Sequence, residues 1–103
     1  NPYLATAAVI AAGLDGIERK LDPGLPHNIN HYRYTEEALK EMGIGILPQN
    51  LIEAINALKK DVLFFDQLGK DFLNEYIQLK EMEWTEYQRH VSDWEVNRYL
   101  EFF

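Results

Sequence analysis

Asn1-Pro2-Tyr3-Leu4-Ala5-Thr6-Ala7-Ala8-Val9-Ile10-Ala11-Ala12-Gly13-Leu14-Asp15-Gly16-Ile17 is the stretch that decides how the rest of the chain is read. Asn1 suits a helix N-cap, and Pro2 suits the first turn, where a missing N–H costs nothing. From Tyr3 to Leu14 every residue except Thr6 and Gly13 is apolar. A surface helix would interrupt such a run with polar residues at the 3.6-residue period, and none comes before Asp15. The reading is a buried helix that wants cover on nearly every side. Its alanines (Ala5, Ala7, Ala8, Ala11, Ala12) let neighbouring backbones come close. A secretory signal would carry a basic start and a cleavable end, and neither is visible. A membrane span needs roughly 20 apolar residues, and this run stops at Leu14.

Composition narrows the class of protein further. The 103 residues allow one domain or less, and 47% hydrophobic with 13% aromatic residues describes a packed chain. The 17 acidic against 10 basic side chains leave a net charge of −7. Nucleic acid asks for a basic footprint, and an anionic membrane surface would repel this balance, so neither partner is expected. Cysteine is absent, which removes a disulfide framework and thiolate metal sites and fits a reducing cytoplasm.

Beyond Leu21 the helix should break, since Asp22-Pro23-Gly24 and Pro26 cannot continue it. Residues 24–34 read as an irregular excursion, and its Ile29, Tyr32 and Tyr34 suggest that it is laid on something. Thr35 caps a short helix to about Met42, with Glu36 and Glu37 in its first turn and Gly43 and Gly45 at its end. Asn50 and Glu53 have capping-box spacing, and Leu51, Ile55, Leu58 and Val62 fall on one helical face. Leu63-Phe64-Phe65 packs somewhere, and Leu68-Gly69 closes that unit.

The longest helix is predicted from about Lys70 to His90, roughly 30 Å at 1.5 Å per residue. Leu73, Ile77, Trp84, Tyr87 and Val91 make one stripe; Phe72, Tyr76 and Leu79 make a second. Lys80, Glu81 and Glu83 are left to solvent. Ser92 and Glu95 repeat the capping pattern, opening a last helix near Asp93. Phe102 and Phe103 are costly to leave in water, each worth roughly 1.5–3 kcal/mol when buried. The expected fold is all-α, with four or five helices.

Chemistry-bearing groups are sparse. His27 and His31 stand four apart, but Pro26 and Asn-Ile-Asn argue for loop, and zinc needs three or four convergent ligands. Glu86 and His90, also four apart, suit at most a weak hydrogen bond along a helix. Gly13-Leu-Asp-Gly16 and Gly43-Ile-Gly45 lack a phosphate-loop pattern. The only serine, Ser92, is taken by a cap, so no nucleophile–base pair exists. The residues alone contain no catalytic, cofactor-binding or metal-ligating constellation.

A resemblance supplies what the residues do not. Asn1-Pro2-Tyr3-Leu4, Ala11-Ala-Gly-Leu-Asp-Gly-Ile17 and Leu21-Asp-Pro-Gly24 look like the glutamine synthetase family, where this segment follows the last active-site strand. His90-Val-Ser-Asp-Trp-Glu-Val-Asn-Arg-Tyr-Leu-Glu-Phe-Phe103 is similar to the closing segment of ligases of that kind, nearer to branches that attach methylamine or other amines. The resemblance implies that residues 1–103 are the helical C-terminal portion of an α+β catalytic domain, an incomplete domain. It implies a cytoplasmic parent that joins glutamate to ammonia or another amine through γ-glutamyl phosphate. That parent uses ATP with magnesium or manganese and assembles as homo-oligomeric stacked rings. The family's metal glutamates, glutamate-binding arginine and nucleotide contacts lie mainly on strands upstream of the Asn-Pro-Tyr segment, so none is carried onto a position here. This piece is therefore expected to be an inactive scaffold without its own cofactor, covered by its upstream sheet, with residues 92–103 as candidates for subunit contacts.

Asn30-His31-Tyr32 also resembles the Asn-x-Tyr of a loop that some bacterial members nucleotidylate to switch activity off, which makes Tyr32 a candidate for modification. The likeness stops there, because Arg33-Tyr34-Thr35 stand where regulated members carry an acidic residue and prolines. The plainer expectation is a Tyr32 ring packed against a neighbour. From a different class, the rival to the whole ligase reading is a free-standing helical interaction module.

Overall fold

The computed structural model describes residues 1–100. In chain order it has α1 (Pro2–Glu18), a 3-10 turn (His31–Arg33), α2 (Glu36–Glu41), α3 (Leu51–Leu58), α4 (Val62–Leu68), α5 (Lys70–Arg89) and α6 (Asp93–Tyr99). No strand occurs among the described residues. The all-α expectation holds, with six α-helices among the described residues where four or five were expected. The expected burial of Phe102 and Phe103 lies outside the described residues. The chain divides into two units, Asn1–Gln49 and a second that begins at Asn50.

In the first unit, Asn1 caps α1 through Oδ1, which accepts from the backbone N–H of Tyr3 at 3.0 Å and of Leu4 at 3.2 Å. Further along, Asp15 and Arg19 pair one turn apart at 3.0 Å. The helix ends at Glu18, before the Asp-Pro-Gly break, with Lys20 at φ 52 and the Leu21 N–H donating to the Gly16 carbonyl at 2.9 Å. That left-handed position is one where glycine is the usual residue.

Within this chain α1 has no buried residue, as expected of a helix whose cover was assigned to an upstream sheet. Leu4, Ala8, Ala11 and Asp15 form a half-buried stripe at helical spacing. The opposite side is open, with Val9 72% and Ile17 74% exposed. The excursion after it is not laid down either: Ile29 and Tyr34 are exposed, and Tyr32 is 101% exposed. α2 follows the sequence reading, with the Thr35 hydroxyl accepting from the Ala38 N–H at 3.4 Å and Gly43 leaving at φ +75.

The second unit holds the buried apolar residues among those described: Ile55 of α3 with Leu73 and Ile77 of α5. Both α3 and α4 pack on α5. Asn50 caps α3 by accepting from the Glu53 N–H at 3.0 Å while its own amide donates to the Glu53 carboxylate at 2.7 Å. Val62 does not extend α3. The chain turns at Lys59, and Asp61 starts α4 by accepting from the N–H groups of Leu63 and Phe64. Val62 is the first residue of α4 and is exposed.

Gly69 stands at both the end of α4 and the start of α5, with φ +93. A side chain there would be strained, so glycine makes the corner. Leu73 and Ile77 bury as predicted and Trp84 is half-buried, but Tyr87 and Val91 are exposed. Among the residues of α5 only Leu73 and Ile77 are buried, both in its first half. Lys80 and Glu81 are half-buried, not left to solvent, since each is held in an ion pair.

Candidate functional site

Three places bring chemically capable groups together, and each falls within one unit. The first is the histidine pair. His27 and His31 meet edge to face with ring centroids 5.8 Å apart, and the buried Nε2 of His31 has no hydrogen-bond partner. They meet through the 3-10 turn, not through a helix face. No carboxylate joins them: among the described residues no group of three or more His, Cys, Asp or Glu side chains could hold a metal ion. The magnesium or manganese that the resemblance implies therefore finds no fitting donor set among the described residues.

Directly on that turn sits Tyr32. Asn30 accepts its backbone N–H at 3.1 Å, and the phenol ring stands fully in solvent. The expected packing of the ring is overturned.

The third place is the junction of α5 and α6. Ser92 and Glu95 close a full capping box: the Ser92 N–H donates to the Glu95 carboxylate at 2.8 Å, the Ser92 hydroxyl donates to it at 2.9 Å, and the Glu95 N–H donates to that hydroxyl at 3.3 Å. The backbone and then the hydroxyl of Ser92 hold the Glu95 carboxyl below its ordinary pKa. Trp94 and Tyr99 meet edge to face at 6.2 Å, and Trp94, Tyr99 and Leu100 are exposed. Tyr87, His90, Ser92, Trp94 and Glu95 help line a shallow hollow of about 300 Å³. Glu86 and His90 do not share a helix face, because His90 is the α5 C-cap with extended backbone.

Along α5, Lys80 donates to both oxygens of Glu83 at 2.9 and 2.7 Å, and that hydrogen bond raises its pKa. Lys59 at the end of α3 pairs with Glu81 of α5. No local spacing marks this link, because 22 residues separate the partners. A hollow of about 460 Å³ lies against Gln78, Met82, Thr85 and Arg89, but all its lining residues come from α5, so it is an open helix flank and not a cleft. No described helix is long and apolar enough to cross a membrane. The described residues thus present exposed apolar side chains and an open tyrosine.

Comparison with known proteins fits a chain of this kind. The family model described as "Glutamine synthetase, catalytic domain" matches residues 1–99. The glutamate–methylamine ligase of Methyloversatilis universalis is 59% identical over 103 residues, which is 100% of this chain and 23% of that protein. The glutamine synthetase of Methanosarcina mazei is 44% identical over 100 residues, 97% of this chain and 22% of that protein. A solved structure described as "Apo GmaS without ligand" superposes with a TM-score of 0.74 at 34% identity, covering 97% of this chain and 23% of that one. The chain spans less than a quarter of the length of these relatives. A helical chain that the family's catalytic-domain model matches over residues 1–99 belongs to the glutamine synthetase family.

Proposed function

We propose that residues 1–103 are the C-terminal helical scaffold of a glutamine synthetase-type catalytic domain in an ATP-dependent ligase. The parent joins glutamate to an amine through γ-glutamyl phosphate, with ATP and magnesium or manganese held by residues outside this chain. The observation that carries the scaffold role is the bare apolar side of α1, where Tyr3, Val9, Ile10, Leu14 and Ile17 are all exposed. Each is worth roughly 1.5–3 kcal/mol when covered, so the helix is built to lie on something. The catalytic sheet preceding the Asn-Pro-Tyr segment is the cover. A free-standing module without a ligase parent is set aside by the family membership of the chain.

Methylamine is the amine, ahead of ammonia; the support is 59% identity to a glutamate–methylamine ligase against 44% to a glutamine synthetase. The parent works in the cytoplasm as a homo-oligomer of stacked rings, and the exposed Trp94, Tyr99 and Leu100 of the α6 region are candidates for its subunit contacts. Tyr32, open to solvent, is the candidate site for nucleotidylation.

The deciding experiment measures phosphate release from ATP and glutamate with magnesium and either methylamine or ammonium, using the full-length protein and residues 1–103 alone. Full-length protein should turn over fastest with methylamine, and the 103-residue chain should be inert. Activity in the short chain removes the scaffold assignment, and an ammonium preference removes the methylamine one. Labelled ATP with the modifying enzyme tests the tyrosine: label on wild type but not on Tyr32→Phe is expected, and an unlabelled wild type ends that reading.

A further inference from the structure

We propose that His27 and His31 form a binding site for a late first-row divalent metal ion, with copper(II) as its tightest occupant, directly beside Tyr32. Both residues belong to the unit Asn1–Gln49. The Nε2 atom of His31 is buried and has no hydrogen-bond partner. A buried polar nitrogen is costly to leave unmatched, and a bound ion is one way to match it. Neutral imidazole is also the commonest protein ligand for metals.

The spacing of the two rings fits a shared ion. Their centroids are 5.8 Å apart, with the planes inclined at 64°. A metal bound to both imidazoles stands about 2.1 Å from one nitrogen of each, hence roughly 3.2 Å from each ring centre. That geometry puts the centres about 5.2 Å apart at a tetrahedral N–metal–N angle and about 6.4 Å apart at a straight one. The observed separation lies between these limits, so an ion can sit between the rings without their centres moving. The backbone already fixes one of the two donors: Asn30 accepts the Tyr32 N–H at 3.1 Å, and the Tyr34 N–H donates to the His31 carbonyl at 3.1 Å.

The ligand set selects the ion. Magnesium and manganese favour oxygen ligands, whereas imidazole suits zinc, nickel and copper. Zinc asks for three or four protein ligands, and among the described residues no third histidine or carboxylate joins this pair. Copper(II) binds a given nitrogen site most tightly of the divalent series, so it is the ion that two imidazoles and water can hold. Once bound, it ties His27 to the turn that presents Tyr32. The site rests on neither the amine nor the nucleotidylation proposed above.

The full-length protein, kept in excess magnesium to fill sites for hard ions, is titrated with Cu2+ and followed by calorimetry and electron paramagnetic resonance. Wild type should bind one more Cu2+ per chain than His27→Ala or His31→Ala. The difference spectrum between wild type and His27→Ala should show splitting from two imidazole nitrogens. His27 is exposed, so its removal leaves the fold in place, which circular dichroism checks. His90→Ala, which removes the remaining histidine of residues 1–103, should titrate as wild type does. Equal copper binding by wild type and both variants means an adventitious ion only and overturns the proposal. So does a difference spectrum without nitrogen splitting, or loss of the extra Cu2+ in His90→Ala. The ligase reading fails on a different readout, phosphate release without added copper.

Discussion

Glu95 does two jobs at the entrance to α6: its N–H is capped by the Ser92 hydroxyl, and its carboxylate returns bonds to the N–H and hydroxyl of Ser92. The carboxylate form is the one that accepts both bonds, which is why its pKa is lowered. A depressed carboxyl stabilises the fold above its unfolded pKa, and that contribution is lost as the pH falls through its lower folded value. Residue-resolved chemical shifts of α6 should therefore show its helicity falling below about pH 4.5, the ordinary glutamate value. Glu95→Gln should remove that acid-dependent step. A step of unchanged size in the variant would assign it to another carboxylate. This box was legible because both partners lie three residues apart in sequence. Tyr32 was not: its exposure depends on what surrounds a 3-10 turn, and the tendency of tyrosine to pack says nothing about a particular turn.

At the scale of elements, the miss is instructive. Leu51, Ile55, Leu58 and Val62 are spaced four, three and four, so the apolar period runs straight through a break in the chain. The break is made by Asp61, which caps a new helix three residues past Leu58, the last residue of α3. Asp61→Ala should cost about 1 kcal/mol, the usual cost of losing an N-cap, read as a lower urea midpoint with unchanged slope. Gly69→Ala should cost about 1–3 kcal/mol, because its φ of +93 lies where a side chain is strained. Leu73, 2% exposed between the helices, should cost about 2–5 kcal/mol on truncation to alanine. If the same urea titration ranks Gly69→Ala or Asp61→Ala above Leu73→Ala, the buried contacts are not what holds this unit. The helices themselves were readable from caps and period; where two helices share one period, only the cap tells them apart.

For the whole molecule, the apolar character of residues 3–14 was plain in the sequence, and the absence of cover for them was a physical deduction from it. What a sequence cannot display is which of its own segments will reach across to pair with another, as Lys59 does with Glu81. With Val9, Ile10, Leu14 and Ile17 all exposed, the isolated chain should self-associate. Light scattering should give a mass that rises above 12.1 kDa with concentration. The double change Val9→Glu and Ile10→Glu should bring it back toward one chain, and a mass insensitive to those charges would assign the association to another face.

The open side of α1 also has a meaning for the cell's housekeeping. Chaperones and proteases act on greasy surface that ought to be hidden, and they continuously triage the fraction of molecules that display it. A copy whose α1 has found its seat conceals the mark; an unassembled copy wears it. On the scaffold reading proposed above, the side chains that seat α1 are also the ones such a triage would read until they are covered.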